Sequence, residues 1–85
     1  MKLNETVQMM NSEDYKERFR GEYAQLKIRI NGLKGMLEKY KNGTLPFKPS
    51  CSYDLLDGQR KSMELYASYL EDRAKIEDIN LEDLN

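Results

Sequence analysis

Apolar residues recur at steps of three and four along two long stretches of this chain. This spacing keeps side chains on one side of an α-helix, so each stretch predicts an amphipathic helix with one apolar seam. The first seam consists of Tyr15, Phe19, Tyr23 or Leu26, Ile30, Leu33, Leu37 and Tyr40. The second consists of Leu56, Met63, Tyr66, Ala67, Leu70 and Ala74. Together they predict an all-α fold.

The ends of both helices carry recognisable signals. Asn11 or Ser12 can cap the first helix, and Asn42-Gly43 is a usual end signal. Two prolines between the helices exclude a continuous helix. We therefore predict a short N-terminal helix within a lead over 1–11, a helix over about 12–41, a loop over 42–51, a helix over about 52–77 and an acidic tail over 78–85.

Charged residues predict how the two helices pair. A basic stripe beside the first seam consists of Lys16, Arg20, Lys27, Lys34 and Lys41, and an acidic stripe beside the second consists of Asp57, Glu64, Glu71 and Asp78. The two stripes fall on the same side only if the helices form an antiparallel hairpin. Exposed ion pairs contribute about 0.2–1 kcal/mol each, so they select orientation more than they stabilise. We interpret the basic stripe as an interhelical pairing surface, in preference to a phosphate-binding one.

Each predicted helix has a further face that a hairpin alone does not use. The first helix carries small residues opposite its seam, and the second carries an additional apolar row. These faces can be covered by the N-terminal segment, by the tail or by another subunit, and the glycines can also be solvent-exposed. We predict oligomerisation into a helical bundle. The predicted interface consists of Gly21, Ile28, Gly32, Gly35, Leu55, Leu65, Tyr69 and Ile76.

Composition narrows the function classes. The net charge is −1, which provides no basic field for nucleic acid or an anionic membrane, and no apolar run is long enough to span a bilayer. The chain has no histidine and one cysteine, Cys51, so the usual general base and an ordinary zinc ligand set are both missing. We expect a non-enzyme without cofactor or metal. The single cysteine and the lack of a signal peptide predict a cytoplasmic protein.

Two groups of residues resemble a known family. The first is Tyr15, Arg18, Glu22, Leu26, Arg29-Ile30 and Leu33, and the second is Leu55-Leu56-Asp57-Gly58-Gln59, Met63, Tyr66, Leu70 and Arg73. In this spacing they resemble the two helices of short proteins from tailed phages and prophages, the crAss-like-phage-related family. The resemblance spans about residues 13–75. It implies a phage or prophage accessory protein in the bacterial cytoplasm.

Small oligomeric helical proteins of phages suggest two functions by analogy of build. One is to sequester a small anionic nucleotide signal between subunits, which needs aromatic rings and guanidinium groups. The candidate ligand-binding residues are Arg18, Arg29, Asn31, Tyr66, Tyr69 and Arg73. The tyrosines can equally be seam or interface residues, and Arg73 a solvated helix end. The other function is to inhibit a host defence protein, with the acidic tail imitating nucleic-acid phosphates. A structural phage protein without a ligand is a third reading.

Overall fold

The computed structural model describes residues 1–84 and contains three α-helices. They are α1 (Thr6–Met10), α2 (Tyr15–Asn42) and α3 (Tyr53–Glu77), with short 3-10 helices at Leu3–Glu5 and Glu82–Leu84. The prediction of an all-α helical hairpin is confirmed, because the two long helices pack along each other and residues 1–84 contain no strand. No helix in this part of the chain combines the length and the apolar character needed to cross a membrane.

The ends of α2 and α3 follow from local hydrogen bonds. Asp14 caps α2, because its carboxylate accepts from the backbone N–H of Lys16 at 3.0 Å. The prediction of Asn11 or Ser12 as the cap is therefore wrong. Ser12 instead accepts from the backbone N–H of Asp14 at 3.1 Å and forms the turn before the helix. Gly43, with a φ of 71°, ends α2 in the left-handed conformation that glycine adopts without strain.

The core lies between the two long helices. Both Tyr23 and Leu26 are buried, so the first seam uses both residues that the spacing allowed. Tyr66 is 44% exposed, and its prediction as a seam residue is wrong because it lies at the edge of the contact between the helices. The buried apolar residues shared by the two helices are Phe19, Tyr23, Ala24, Leu26, Ile30, Ala67, Leu70 and Ala74.

The antiparallel orientation brings the basic and acidic stripes to the same side, as predicted. Lys34 Nζ lies 3.6 Å from a carboxylate oxygen of Glu64. The Tyr23 hydroxyl donates to Glu71 at 2.6 Å, which neutralises part of the acidic stripe by a hydrogen bond from the core. Most of the basic stripe is not paired with the acidic stripe directly. Arg20, for example, binds the C-terminal segment.

The C-terminal segment is a packed part of the fold. Ile79, Leu81 and Leu84 are buried and belong to the same apolar cluster as the helices. The guanidinium of Arg20 donates to both carboxylate oxygens of Asp83 at 2.9 Å. The interpretation of residues 78–85 as an acidic tail that imitates phosphates is therefore not supported over the described part, since its apolar residues anchor it. Asn85 lies outside the described residues.

The pairing of Asp83 with Arg20 predicts a pH dependence. The hydrogen bond from the Arg20 guanidinium lowers the pKa of Asp83 below its ordinary value. A lowered pKa means that the contribution to stability is present above the unfolded-state pKa of about 3.9 and is lost as the pH falls through the folded-state value. We expect the methyl NMR signals of Leu81 and Leu84 to broaden or shift below about pH 4. The Asp83→Asn variant should show a weaker pH dependence. Identical profiles for both proteins would contradict the assignment.

The N-terminal segment lies across the back of α2. Thr6 is fully buried, and its hydroxyl donates to the carbonyl of Leu3 at 2.7 Å. A Cβ atom at Gly21 would lie 2.9 Å from the Cβ of Met9 and 3.0 Å from the backbone nitrogen of Met10. The assignment of Gly21 to a subunit interface is therefore wrong, because α1 of the same chain occupies the space above it.

The glycines of α2 are expected to respond in opposite ways to alanine. Gly21→Ala should destabilise the protein by roughly 1–3 kcal/mol, because α1 must move away from the new methyl group. Gly32→Ala and Gly35→Ala should stabilise it by up to about 1 kcal/mol each, since no atom lies within 4 Å of their added Cβ atoms. Urea unfolding followed by circular dichroism measures all three variants. Equal effects at positions 21 and 32 would contradict the packing of α1.

Candidate functional site

An exposed apolar row follows the outer side of α3. Leu55, Leu65, Tyr69 and Ile76 are 64%, 58%, 62% and 86% exposed. These are the four residues that the sequence assigned to an additional apolar row, and nothing in residues 1–84 covers them. The row is therefore available to a partner or to a ligand, whereas the seam of the same helix is closed against α2.

Arg73 lies next to this row in a network that joins the two long helices. Its Nη2 donates to the hydroxyl of Tyr15 at 2.8 Å, and its Nε donates to Glu77 at 3.2 Å. The guanidinium carbon lies 5.0 Å from the ring centre of Phe19, a cation–π contact. Tyr15 in turn donates to Glu77 at 2.7 Å. The network orients the guanidinium and leaves its Nη1 group free of protein partners among residues 1–84.

The same network changes two pKa values. The hydrogen bond to the Glu77 carboxylate raises the pKa of Tyr15, because it favours the protonated hydroxyl. That hydrogen bond also lowers the pKa of Glu77. Near neutral pH, Arg73 and Glu77 are therefore both charged and Tyr15 is protonated. Sequence reasoning did not assign Tyr15 or Glu77 to the site, although Tyr15 stands four residues before Phe19 in the seam.

Arg18 and Arg29 lie on the same flank of α2 as Tyr15. At 100° per residue, Tyr15, Arg18 and Arg29 fall within a narrow arc beside the seam. Arg18 donates from Nη1 to the backbone carbonyls of Ser12 at 2.8 Å and Glu13 at 3.0 Å, so part of its guanidinium is used to hold the turn before α2. Arg29 is exposed, and its guanidinium has no hydrogen-bond or ion-pair partner within residues 1–84.

The two flanks adjoin across the hydrogen bond between Arg73 and Tyr15. Tyr66 and Tyr69 precede Arg73 by about two turns and one turn of α3 and lie on its flank. Both side chains are largely exposed. The structure thus brings five of the six predicted ligand-binding residues to one face of the hairpin. We call this surface the arginine–tyrosine face, and it consists of Arg18, Arg29, Tyr66, Tyr69 and Arg73.

Asn31 lies elsewhere. It lines a groove with Ile28, Met1 and residues of the C-terminal segment, including Leu84. The structure therefore separates Asn31 from the arginine–tyrosine face. It also places Ile28 under Met1 and Leu84 of the same chain, so the predicted interface role of Ile28 competes with a contact inside the subunit.

The remaining small residues of α2 form the floor of a second groove. A groove of about 410 Å³ runs over Gly32 and Gly35, and the loop residues Leu45, Pro46 and Phe47 form its wall. The sequence gave no signal for this wall, because a loop with two prolines has no periodicity from which to place its side chains. Among residues 1–84, no three cysteine or carboxylate side chains converge as a metal site requires.

The arrangement of the arginine–tyrosine face is suited to an anionic, planar ligand. Guanidinium groups form paired hydrogen bonds with phosphate oxygens, and tyrosine rings stack on bases. The opposite side of the hairpin is different, because there the carboxylates of Glu64, Glu71 and Asp83 already accept from protein donors. The cationic groups that remain available next to aromatic rings are therefore concentrated on one face.

Comparison with known proteins gives one result. No curated protein and no solved structure matches this chain. The model of the Sequestin family matches residues 13–76, which covers α2, the loop and nearly all of α3. The matched span contains every residue of the arginine–tyrosine face. The chain belongs to the Sequestin family.

Proposed function

We propose that this protein is a non-enzymatic sequestering protein that holds a small anionic, nucleotide-type ligand on the arginine–tyrosine face, between subunits. One observation carries the proposal. Arg29, a guanidinium without a protein partner, lies on the same face as Arg73 and as two exposed tyrosine rings. The family's name is in keeping with sequestration.

The network around Arg73 supports the same function. A guanidinium held by Tyr15, Glu77 and the ring of Phe19 loses little conformational entropy when it binds phosphate, because it is already oriented. Glu77 keeps the local charge low until a ligand arrives. A flexible lysine would lose more entropy on binding and would offer no paired hydrogen bonds.

The biological setting belongs to the same proposal. The spacing of residues over 13–75 resembles short phage and prophage proteins, which supports an accessory protein that acts in the bacterial cytoplasm and counters host defence. The alternative, an inhibitor that binds a host defence protein through its acidic tail, has less support. Glu77 and Asp83 are engaged with arginines of the same chain, so they are not presented as phosphate mimics.

Replacement of Arg29 tests the proposal. We expect Arg29→Ala to weaken nucleotide binding by a factor of roughly 10 to 100, since a hydrogen bond to a charged group contributes about 1.5–3 kcal/mol. Isothermal titration against a panel of cyclic and linear signalling nucleotides measures it. Lys48→Ala is the matched control, because Lys48 is an exposed cation of the loop without a side-chain partner among residues 1–84.

Arg29→Lys separates geometry from charge, and we expect it to restore only part of the affinity. The proposal would be wrong if wild-type protein gave no heat with any member of the panel. It would also be wrong if Arg29→Ala and Lys48→Ala bound a ligand equally well.

A further inference from the structure

The exposed row of α3 has an internal symmetry. Its members stand at positions 55, 62, 65, 66, 69 and 76 of the chain. When the helix is reversed about a point between 65 and 66, Leu55 takes the place of Ile76, and Leu65 takes the place of Tyr66. Ser62 takes the place of Tyr69, so the small side chain meets the large one. A helix face with this property can pack against a copy of itself in the antiparallel direction.

We infer that the partner of this face is a second copy of the chain, bound across a two-fold axis that passes close to Leu65 and Tyr66. The inference rests on the proposed function in one respect, since that function places the ligand between subunits. The residues that form the contact are otherwise independent of any ligand. Other antiparallel registers are less favourable, because a slip of seven residues in either direction leaves Leu55 or Ile76 without an apolar partner.

The charges beside the row agree with this register. Lys61 and Asp72 lie on the edge of the row that faces away from α2, and both side chains are exposed. The two-fold axis places Lys61 at the level of the partner's Asp72, and the reverse pair is formed by symmetry. Asp72 has no side-chain partner among residues 1–84, so this ion pair gives it one. Charge complementarity therefore favours a second copy over an unrelated apolar surface.

The dimer would turn an open face into a cleft. A two-fold axis perpendicular to the helices puts both copies of α2 on the same side of the α3 pair. Arg18 and Arg29 then line two facing walls, and Tyr66 lies on the floor. Arg29 stands near the level of Tyr66, close to the axis, so both unpaired guanidiniums approach one ligand. The expected stoichiometry is one ligand per two chains.

Single cysteines test the axis without any ligand. In a Cys51→Ser background, Leu65→Cys lies near the axis and should crosslink to its own copy with a short bismaleimide. Ile76→Cys should not, because the two copies of position 76 are separated by about 30 Å at 1.5 Å per residue. A mixture of Leu55→Cys and Ile76→Cys proteins should form the heterodimer. All three positions are exposed in the single chain, so folding is retained, as circular dichroism can verify.

Self-crosslinking of Ile76→Cys would contradict the antiparallel pairing, and a wild-type protein that sediments as a monomer at 50 µM or so would contradict the dimer itself. Nucleotide titration remains a separate readout. Binding to a monomer through Arg29 would overturn the dimer and leave the proposed function intact. A crosslinked dimer that binds no nucleotide would overturn the proposed function alone.

Discussion

A chain truncated after Asp78 is expected to lose most of its folding stability. The truncation removes Ile79, Leu81 and Leu84, all buried in the apolar cluster of the hairpin. Burial of one such side chain contributes about 1.5–3 kcal/mol, so the three together contribute roughly 5–9 kcal/mol as an upper estimate. A domain of this length has a free energy of unfolding of roughly 4–13 kcal/mol. The truncated protein should therefore be at the edge of unfolding at room temperature.

Circular dichroism during a urea titration measures the loss. Glu82→Ala is the matched control, because it alters an exposed side chain of the same segment without a printed partner in the fold and leaves the apolar anchors in place. It should unfold at nearly the wild-type urea concentration. A truncated chain with the wild-type midpoint would show that the C-terminal segment is not part of the folding unit.

Leucines on the two sides of α3 should differ sharply when replaced by alanine. Leu70 is 1% exposed between the long helices, and Leu70→Ala should cost about 2–5 kcal/mol of stability through lost burial and the cavity left behind. Leu65 is 58% exposed, so Leu65→Ala should change the stability of the single chain by less than about 0.5 kcal/mol. The comparison keeps residue type, helix and substitution constant.

Thermal unfolding at low protein concentration provides the stability comparison, and sedimentation at high concentration provides a second readout. Leu65→Ala should weaken self-association, whereas Leu70→Ala at a temperature where it stays folded should not act on the interface directly. A stability loss of the same size for both variants would contradict the assignment of α3 to one buried and one open side.

The sequence was sufficient for the hairpin because long amphipathic helices repeat their signal. The seams of α2 and α3 have several apolar residues each, and a stripe of charge beside each seam then determined the orientation. A few misplaced residues, such as Tyr66, do not change a pattern of that length. The ends were less certain, and Asp14 proved to be the cap where Asn11 or Ser12 was expected.

The terminal segments could not be placed from sequence. Ile79, Leu81 and Leu84 stand among acidic residues in a segment too short for a periodic signal, so their composition resembled a solvated tail. Gly21 was indistinguishable from Gly32 in the sequence, although α1 covers only the first of them. In both cases the deciding information is the path of a short segment across α2, which depends on tertiary packing.

The candidate site was predictable in residue type and only partly in arrangement. Periodicity puts Arg18 and Arg29 on one flank of α2 and Tyr66, Tyr69 and Arg73 on one flank of α3. Asn31 was included because of its hydrogen-bonding capacity, and the structure places it on another side of the helix. The network of Tyr15 and Glu77 around Arg73 joins residues about 60 positions apart, which no local pattern reports.

Recovery of an unchanged ligand tests sequestration most directly. Purified protein would be mixed with a panel of signalling nucleotides below saturation, and the free nucleotides would be removed by filtration and quantified. The bound fraction would then be released by heat and identified by mass spectrometry. We predict that at least one nucleotide is depleted from the filtrate and is recovered chemically intact after release. Depletion of none, or release of a cleaved product, would contradict the account.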